Sequence, residues 1–159
     1  MPDMLASLLK IPDHQELIDG LKQEGINIRR AQPFEISILR RYIQKTFGEG
    51  WADEAMNAFA HQPVTCFIAT YEQRIIGFGA YECTRRNFFG PTGVSPEFRG
   101  KGIGKALFLV CMQAMYDMGY AYAIIGGAGP TEFYAKAVGA IEIPDSKPGI
   151  YVAGLKRDG

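Results

Sequence analysis

Apolar side chains recur every three or four positions along several parts of the chain, with charged residues between them. This spacing turns one side of a helix towards a core and predicts five helices. Pro33 suits the start of the second helix, whereas Pro63 and Gly119 suit the ends of the third and fourth. The predicted helical segments are a lead-in over residues 7–25, then 33–47, 50–62, 102–118 and 130–138.

Seven shorter runs are apolar throughout or alternate between apolar and polar residues, which predicts strands. Three of them follow one another with short polar joints at Glu72–Gln73 and Arg85–Arg86. An antiparallel meander is expected there. The predicted strands cover residues 26–31, 64–72, 74–84, 87–94, 120–127, 140–143 and 149–156.

The order of these elements predicts a mixed α/β fold. The strand 87–94, the helix 102–118 and the strand 120–127 form a crossover, which makes that strand pair parallel. The other neighbours are expected to be antiparallel, so the sheet is mostly antiparallel and is flanked by helices. We divide the chain into a helical lead-in over residues 1–25 and a single domain over residues 26–159.

Composition and charge limit the partners and the compartment. Hydrophobic residues make up 47% of the chain and charged residues 21%, as in globular proteins. Basic and acidic residues number 17 each, so no global charge attracts nucleic acid or a membrane surface. The three cysteines and two histidines lack metal-ligand spacing, which predicts reduced structural thiols and no metal. The first residues lack the features of a signal peptide, and a cytoplasmic location is expected.

One segment, RGKGIGKA over residues 99–106, combines three glycines with three cations at the start of the longest predicted helix. A helix N-terminus carries unpaired N–H groups and a partial positive charge. Glycines allow the main chain to approach a ligand closely, and Arg99, Lys101 and Lys105 add positive charge. The segment therefore predicts a phosphate-binding loop.

Two common nucleotide motifs fit this loop poorly. A P-loop requires Ser or Thr after Gly-Lys, but Ala106 follows Gly104-Lys105 here. A dinucleotide fingerprint requires G-x-G-x-x-G and an acidic residue about 20 positions later. The chain has G-x-G-x-G, and its strand 120–127 has no carboxylate. Binding of another diphosphate nucleotide is therefore kept only as a third alternative.

With its neighbours, in VSPEFRGKGIGKAL, the loop resembles the coenzyme A pyrophosphate motif of the GNAT N-acetyltransferase superfamily. That motif has Gln or Arg, then Gly three positions later, then Gly or Ala after one more residue; Arg99, Gly102 and Gly104 match it. A second family motif, a strand followed by a helix with a tyrosine, is resembled by YAIIGGAGPTEFYAKAVGA, with Tyr134 at the tyrosine. The resemblance covers about residues 26–156 and includes a fainter similarity to bacterial amino-sugar acetyltransferases.

The resemblance implies the GNAT acyl-CoA N-acyltransferase fold, with acetyl-CoA as cosubstrate. It implies transfer of the acetyl group to a primary amine of a small molecule by direct attack. The N–H near Val94 would face the thioester carbonyl, and Tyr134 would give a proton to the departing thiolate. An ordinary tyrosine, with a pKa of about 10, holds its proton at neutral pH. The implied cofactor-binding residues are Val94, Arg99, Gly100, Lys101, Gly102, Ile103, Gly104, Lys105 and Phe133.

The general base and the acceptor pocket stay open. The family often carries a glutamate on the strand before the loop, where residues 87–94 have none. Glu82, on the preceding strand, is the candidate base, and a solvated glutamate with a water relay is the alternative. Trp51, in a joint between loop and helix, is the candidate wall of the acceptor pocket, and a core aromatic is its alternative. Gly127 stands where family members often have asparagine.

Two classes of function follow from these observations. The first is an acetyl-CoA-dependent N-acetyltransferase acting on an amino sugar, a polyamine, an amino acid or an antibiotic. Its expected partner is the small-molecule amine, and no nucleic acid or membrane is expected. In one alternative the chain also forms a homodimer. The second class is a non-catalytic acyl-CoA-binding or sensing module, which the missing strand carboxylate and Gly127 favour. Release of the thiol in the presence of amines separates the two.

Overall fold

Seven strands form one sheet with five α-helices packed on its faces in residues 1–158, the part of the chain that the computed structural model describes. The strands are β1 (Met4–Ser7), β2 (Ile26–Arg30), β3 (Cys66–Tyr71), β4 (Arg74–Tyr81), β5 (Phe88–Val94), β6 (Tyr122–Ile125) and β7 (Ile141–Glu142). The helices are α1 (Gln15–Gln23), α2 (Ile36–Phe47), α3 (Glu49–Ala55), α4 (Ile103–Asp117) and α5 (Thr131–Val138). Short 3-10 helices cover Pro33–Glu35, Met56–Ala60 and Pro96–Phe98. The predicted mixed α/β class is confirmed.

The strand order is β2-β3-β4-β5-β6-β1-β7, and all neighbours are antiparallel except β5 and β6. These two strands are parallel, with Phe88 opposite Ile124 and Phe89 opposite Ile125. α4 connects them, so the predicted crossover and its parallel pair are confirmed. The predicted meander is confirmed as β3, β4 and β5.

α4 packs closely on one face of the sheet, because its apolar side chains lie on the side turned to β3, β4 and β5. Glycines in β4 make room for it. A Cβ added at Gly77 would lie 3.2 Å from Leu107, and one added at Gly79 would lie 3.3 Å from Cys111. This packing holds the N-terminus of α4 beside the last residue of β5, Val94.

α2 and α3 cover the opposite face. Leu39 and Ile43 of α2 and Ala55 of α3 are fully buried together with Phe78 of β4. Only Gly48 separates the two helices, so the chain turns sharply there. The turn brings the first residues of α3, including Trp51, to the side of β5.

Two predictions near the chain ends differ from the structure. The helix expected over residues 7–25 is confirmed only as α1, and the lead-in over residues 1–25 also contains the strand β1, which the sequence did not predict. The last predicted strand, over 149–156, forms no strand. β1 takes the position between β6 and β7, with Ala6 opposite Ala123, and so leaves no free edge of β6 for the later segment. The division into two parts at residue 25 stays a prediction.

The three cysteine thiols, Cys66, Cys83 and Cys111, are free and buried. Burial raises the pKa of each thiol, because a thiolate would lose its hydration inside the protein. None of the helices described is long and apolar enough to span a bilayer. The described residues also bring together no group of His, Cys, Asp or Glu suited to a metal ion.

Candidate functional site

β5 pairs with β6 only through its first two residues, Phe88 and Phe89, which lie opposite the last two residues of β6. The last bond between them joins the Gly126 N–H to the Phe89 carbonyl at 3.3 Å. Gly90 follows with a φ of 123°. Pro91 comes next and has no N–H to give to a ladder. A cleft opens between the two strands from this point, in the direction of the C-terminal end of β5.

Beyond the split, the edge of β5 carries N–H groups that face the cleft. The Ser95 N–H donates to the Ile76 carbonyl at 2.8 Å, so these two residues form a hydrogen-bonded pair at the end of the β4–β5 ladder. Hydrogen-bonded and non-hydrogen-bonded pairs alternate along an antiparallel ladder. Val94 and Thr92 belong to non-hydrogen-bonded pairs, so their N–H groups point away from β4. This register turns the Val94 N–H towards the cleft, whereas its contact with a thioester carbonyl stays a prediction.

The loop between β5 and α4 exposes its main chain at the helix N-terminus. Gly100 and Gly102 have φ values of 83° and 88°, in the left-handed region that favours glycine. Gly102 is the N-cap of α4, and no side chain caps the first turn. The first main-chain bond joins the Ala106 N–H to the Gly102 carbonyl at 3.0 Å. Within residues 1–158, the N–H groups of residues 103–105 therefore have no acceptor.

The three cations of the loop differ in their partners. Arg99 Nε donates to the Val94 carbonyl at 3.2 Å. Lys101 Nζ lies 3.7 Å from a carboxylate oxygen of Glu24, just after α1. Lys105, in the first turn of α4, forms no ion pair in the part of the chain that the structure describes. Arg99 also forms no ion pair there, so Arg99 and Lys105 are the two cations of the loop that are available to an anion at the helix N-terminus.

Two adjoining cavities lie along the cleft. The larger, of about 460 Å³, begins at the loop. It is lined by Phe47, Trp51, Thr92, Gly93, Val94, Phe98, Arg99, Gly100, Gly102, Ile103, Gly104, Lys105 and Phe133. The smaller, of about 70 Å³, lies at the split and is lined by Trp51, residues 89–92, Ile125, Gly126, Gly127, Gly129 and Tyr134. Apart from Glu82 and Lys101, all the predicted site residues therefore line one of these two cavities.

The Tyr134 side chain is surrounded by aromatic rings. Its side chain is 6% exposed, and its ring centroid lies 5.1 Å from that of Phe108, 5.0 Å from that of Phe133 and 6.4 Å from that of Phe89. Burial raises its pKa to about 12, because a phenolate would be poorly solvated there. Tyr134 therefore holds its proton throughout the neutral range. Tyr134 thus lies at the split and packs against Phe133, and its role as proton donor stays a prediction.

Trp51 lines both cavities and is 40% exposed. Its ring stacks on Phe47, with centroids 5.4 Å apart and planes 28° from parallel. Phe47 in turn lies against β5, since a Cβ added at Gly93 would be 2.5 Å from its ring. Trp51 and Phe47 thus form the wall of the cleft that α2 and α3 contribute.

Glu82 lies at the other end of β5 and lines neither cavity. Its Oε1 accepts from the Asn87 N–H at 2.5 Å, and its Oε2 accepts from the Tyr120 hydroxyl at 3.1 Å. Oε1 therefore closes the connection between β4 and β5, and Oε2 ties that connection to the residues before β6. The structure does not bring Glu82 to Tyr134, and its role as general base stays a prediction.

Two further residues shape the cleft, and the sequence singles out neither of them. Phe47 packs on Gly93, and a glycine inside a strand is the only local sign of such a close approach. Asp3, which is buried, accepts a hydrogen bond from the Gly127 N–H at 2.8 Å. This contact fixes the main chain beside the split, but the two residues are 124 positions apart in the sequence, so no local pattern indicates it.

A parallel strand pair that splits beside the N-terminus of its crossover helix defines the acyl-CoA N-acyltransferase class of fold. The chain belongs to the acetyltransferase (GNAT) family, whose sequence model matches residues 36–140. No curated protein matches the chain in sequence.

Solved structures share the fold at low sequence identity. A glucosamine N-acetyltransferase region of a fungal multi-domain GH3 β-N-acetylglucosaminidase superposes with a TM-score of 0.72, at 16% identity, over 89% of this chain and 19% of that one. A GCN5-related N-acetyltransferase from Sphaerobacter thermophilus gives 0.68 at 21% identity, over 89% of this chain and 48% of that one. A GNAT family acetyltransferase from Brucella melitensis, in complex with acetyl-CoA, gives 0.53 at 18% identity, over 69% and 80%. This chain spans less than half the length of the first two.

Proposed function

We propose that this chain transfers an acetyl group from acetyl-CoA to a primary amine of a small molecule, by direct attack of the amine. One observation carries the proposal: three features lie along a single cleft. These are the free N–H groups at the N-terminus of α4, the free N–H groups on the edge of β5, and Tyr134 at the split. Membership of the acetyltransferase family supports acetyl transfer in general.

The loop fits the diphosphate of coenzyme A. The N–H groups of residues 103–105 and the partial charge of α4 favour an anion in front of the helix. Lys105 adds a free cation, and Gly100 and Gly102 leave the main chain uncovered by side chains. The cavity of about 460 Å³ continues from this loop towards the split. When bound, acetyl-CoA supplies the acetyl thioester.

The residues at the split have two tasks in this proposal. The Val94 N–H donates to the thioester carbonyl oxygen in the cleft, which favours the build-up of negative charge on that oxygen. As the C–S bond of the thioester breaks, Tyr134, protonated because of its raised pKa of about 12, donates its hydroxyl proton to the departing sulfur, and the proton that the attacking amine loses restores the hydroxyl. The aromatic rings around Tyr134 exclude water and so strengthen both interactions.

A solved structure with the same fold indicates which acceptor to test first. The fungal region with the same fold is described as a glucosamine N-acetyltransferase, and we propose an amino sugar as the first acceptor to test.

A panel of amines with acetyl-CoA tests the proposal. Glucosamine, spermidine, lysine and kanamycin represent the four acceptor classes, and free thiol is measured over time. We expect saturable thiol release with at least one amine and an acetylated product in mass spectrometry. Binding of coenzyme A in calorimetry without thiol release for any amine would contradict it.

One observation favours a second candidate, a non-catalytic acyl-CoA-binding module. Both oxygens of Glu82 are used in structural hydrogen bonds, and no other carboxylate lines the two cavities within residues 1–158. An alkylamine with a pKa of about 10.4 must lose a proton before it attacks, which costs about 4–5 kcal/mol at pH 7. The same panel distinguishes this module, because it predicts coenzyme A binding alone.

A further inference from the structure

A second large cavity, of about 510 Å³, lies at the far end of α4 from the phosphate-binding loop. The C-terminal half of α4, the ends of β2, β3 and β4, and the loops before α1 and β3 form its walls. At 1.5 Å per helical residue, about 15 Å of α4 separates it from the loop. We name it the Arg30 cavity. Its volume lies within the range of small-molecule sites.

Arg30 is half-buried in this cavity, and its charge is not paired. Its Nη1 donates to the Val64 carbonyl and to the Tyr81 hydroxyl, both at 2.6 Å. Its Cζ lies 4.6 Å from the centroid of the Phe67 ring. No carboxylate lies within ion-pair distance of Arg30 in residues 1–158. A half-buried, unpaired guanidinium favours an anion from outside the chain.

The neighbouring arginine shows the contrast. Arg29 donates from Nη1 and Nη2 to the two carboxylate oxygens of Glu35, at 2.9 Å and 2.6 Å. Glu35 thereby forms a bidentate ion pair with the guanidinium of Arg29. Arg30 lacks such a partner, although of these two arginines it is the one that lines a cavity.

The hydrogen bonds already made by Arg30 define the shape of the missing partner. Only Nη1 is used within the described residues, so Nε and Nη2 remain as a pair of parallel donors. Two parallel N–H groups match the two oxygens of a carboxylate. The Tyr81 and Val64 contacts, together with the Phe67 ring, hold the guanidinium in place and reduce the entropy lost on binding.

The remaining walls suit a compact apolar body with few polar groups. Phe67, Val110 and Ala114 supply apolar surface. Thr65 is 3% exposed and lines the cavity, and its Oγ1 has no hydrogen-bond partner in the part of the chain described. The carboxylate of Asp117 is exposed at the rim and accepts from Gln113 Nε2 at 3.0 Å. It therefore does not neutralise Arg30 in the interior.

We propose that the Arg30 cavity is a binding site for a small carboxylate with an apolar, ring-sized body. The carboxylate binds the Nε and Nη2 groups of Arg30, and the body lies against Phe67 and α4. This site is separate from the cleft between β5 and β6, and it does not depend on the function proposed for that cleft.

Matched pairs of small ligands test the site on the full chain. Benzoate and phenylacetate are compared with the neutral benzamide and phenylacetamide, by calorimetry and by amide chemical shifts. We expect each carboxylate to bind about tenfold or more tightly than its amide, since charge-assisted hydrogen bonds are lost with the amide. The shifts should include Val110, Gln113 and Ala114. Equal affinity within the pairs, or no binding of either carboxylate, would overturn the proposal.

Saturating coenzyme A separates this site from the phosphate-binding loop. We expect the carboxylate affinity to be unchanged with coenzyme A present. Displacement of the carboxylate by coenzyme A, with shifts confined to residues 99–105, would place the ligand at the loop and overturn the proposal. Carboxylate binding without coenzyme A binding would support the Arg30 cavity and contradict only the function proposed for the cleft.

Variants of the two adjacent arginines provide the matched control. Arg30→Gln should weaken benzoate by about tenfold or more, and Arg29→Gln should not weaken it. Because Arg30 also holds Val64 and Tyr81, its variant can lose the fold. Val110→Phe is the second variant, since it fills the cavity and keeps the guanidinium. Unchanged benzoate affinity in a folded Arg30→Gln or in Val110→Phe, or an equal loss in Arg29→Gln, would refute the site.

Discussion

Tyr134 combines a buried ring with a position at the split between β5 and β6. The sequence indicates this residue through its resemblance to a family motif, and the apolar residues around it agree with a core position. The pKa of Tyr134 depends on Phe89 and Phe108, which come from other elements. The partners of Glu82, Asn87 and Tyr120, likewise follow from the turn after β4 and from long-range packing. Residue identities were therefore predictable from motifs, whereas their environments were not.

Tyr134→Phe tests the proton-donor role. The variant keeps the ring and its packing but removes the hydroxyl proton. Loss of a general acid lowers kcat by about a hundredfold or more, and we expect coenzyme A affinity to change little. Steady-state kinetics with the active amine and calorimetry with coenzyme A measure the two effects. Tyr116→Phe, on the exposed side of α4, is the control and should behave as the unmodified chain does. Equal kcat for all three proteins would exclude Tyr134 as donor.

The raised pKa of Tyr134 also predicts how stability changes at alkaline pH. The native state keeps the proton up to a pKa of about 12, while the unfolded chain releases it near the ordinary value of about 10. The resulting stabilisation is complete below pH 10 and is lost as pH rises through about 12. Its slope in that window is about 1.4 kcal/mol per pH unit.

Tyr134→Phe removes this slope, because phenylalanine does not titrate. Urea unfolding of both proteins is measured between pH 9.5 and pH 11.5. The free energy of unfolding should fall less steeply with pH in the variant, and the difference in slope should correspond to about one proton. The buried thiols contribute equally to both proteins and cancel in the comparison. Parallel pH dependences would show that the hydroxyl of Tyr134 is solvated.

The helices and the central strands were predictable, since their signals are local. α4 has apolar residues at helical spacing, and the meander β3-β4-β5 has polar joints between apolar runs. The crossover rule then gives the parallel pair β5–β6. The split of that pair depends on Gly90-Pro91 and is fixed by contacts across the sheet. The loop before α4 is the part of the site that local sequence describes best, because glycine spacing and charge act there directly.

Gly102→Ala and Gly20→Ala test what glycine does in two different elements. Gly102 has a φ of 88°, and a Cβ there would lie 3.0 Å from Leu17, so alanine should destabilise the fold by about 1–2 kcal/mol. It should also weaken coenzyme A binding, since the N-cap of α4 moves. Gly20 lies inside α1 with open space around it, so alanine should stabilise the chain by about 0.5–1 kcal/mol and leave binding unchanged.

Urea unfolding and coenzyme A calorimetry measure both glycine variants. If Gly102→Ala binds coenzyme A as the unmodified chain does, the loop is not the diphosphate site. If both variants bind less coenzyme A, the loss reflects general damage and gives no support to the loop.

At the scale of the whole molecule, β1 competes with the C-terminal segment for one position in the sheet. Met4–Ser7 is too short for its spacing to distinguish a strand from part of a helix, whereas residues 149–156 alternate as a strand would. Pairing with β6 and β7 decides the outcome: β1 lies between them, and the later segment stays outside the sheet. The local sequence pattern does not determine which of two candidate strands pairs with β6 and β7, because that choice depends on contacts across the whole fold.

Ala6→Asp tests the structural role of β1. Ala6 is 0% exposed and lies opposite Ala123 of β6, so an aspartate there would bury a carboxylate without a partner. Such burial destabilises by about 3 kcal/mol or more, or prevents folding. Ser7→Asp is the control, because side chains alternate along a strand and Ser7 is only half-buried. We expect urea unfolding to show a large loss for Ala6→Asp and little change for Ser7→Asp. Similar stability of both variants would mean that β1 is not part of the central sheet in solution, and the edge of β6 would then be open to the C-terminal segment.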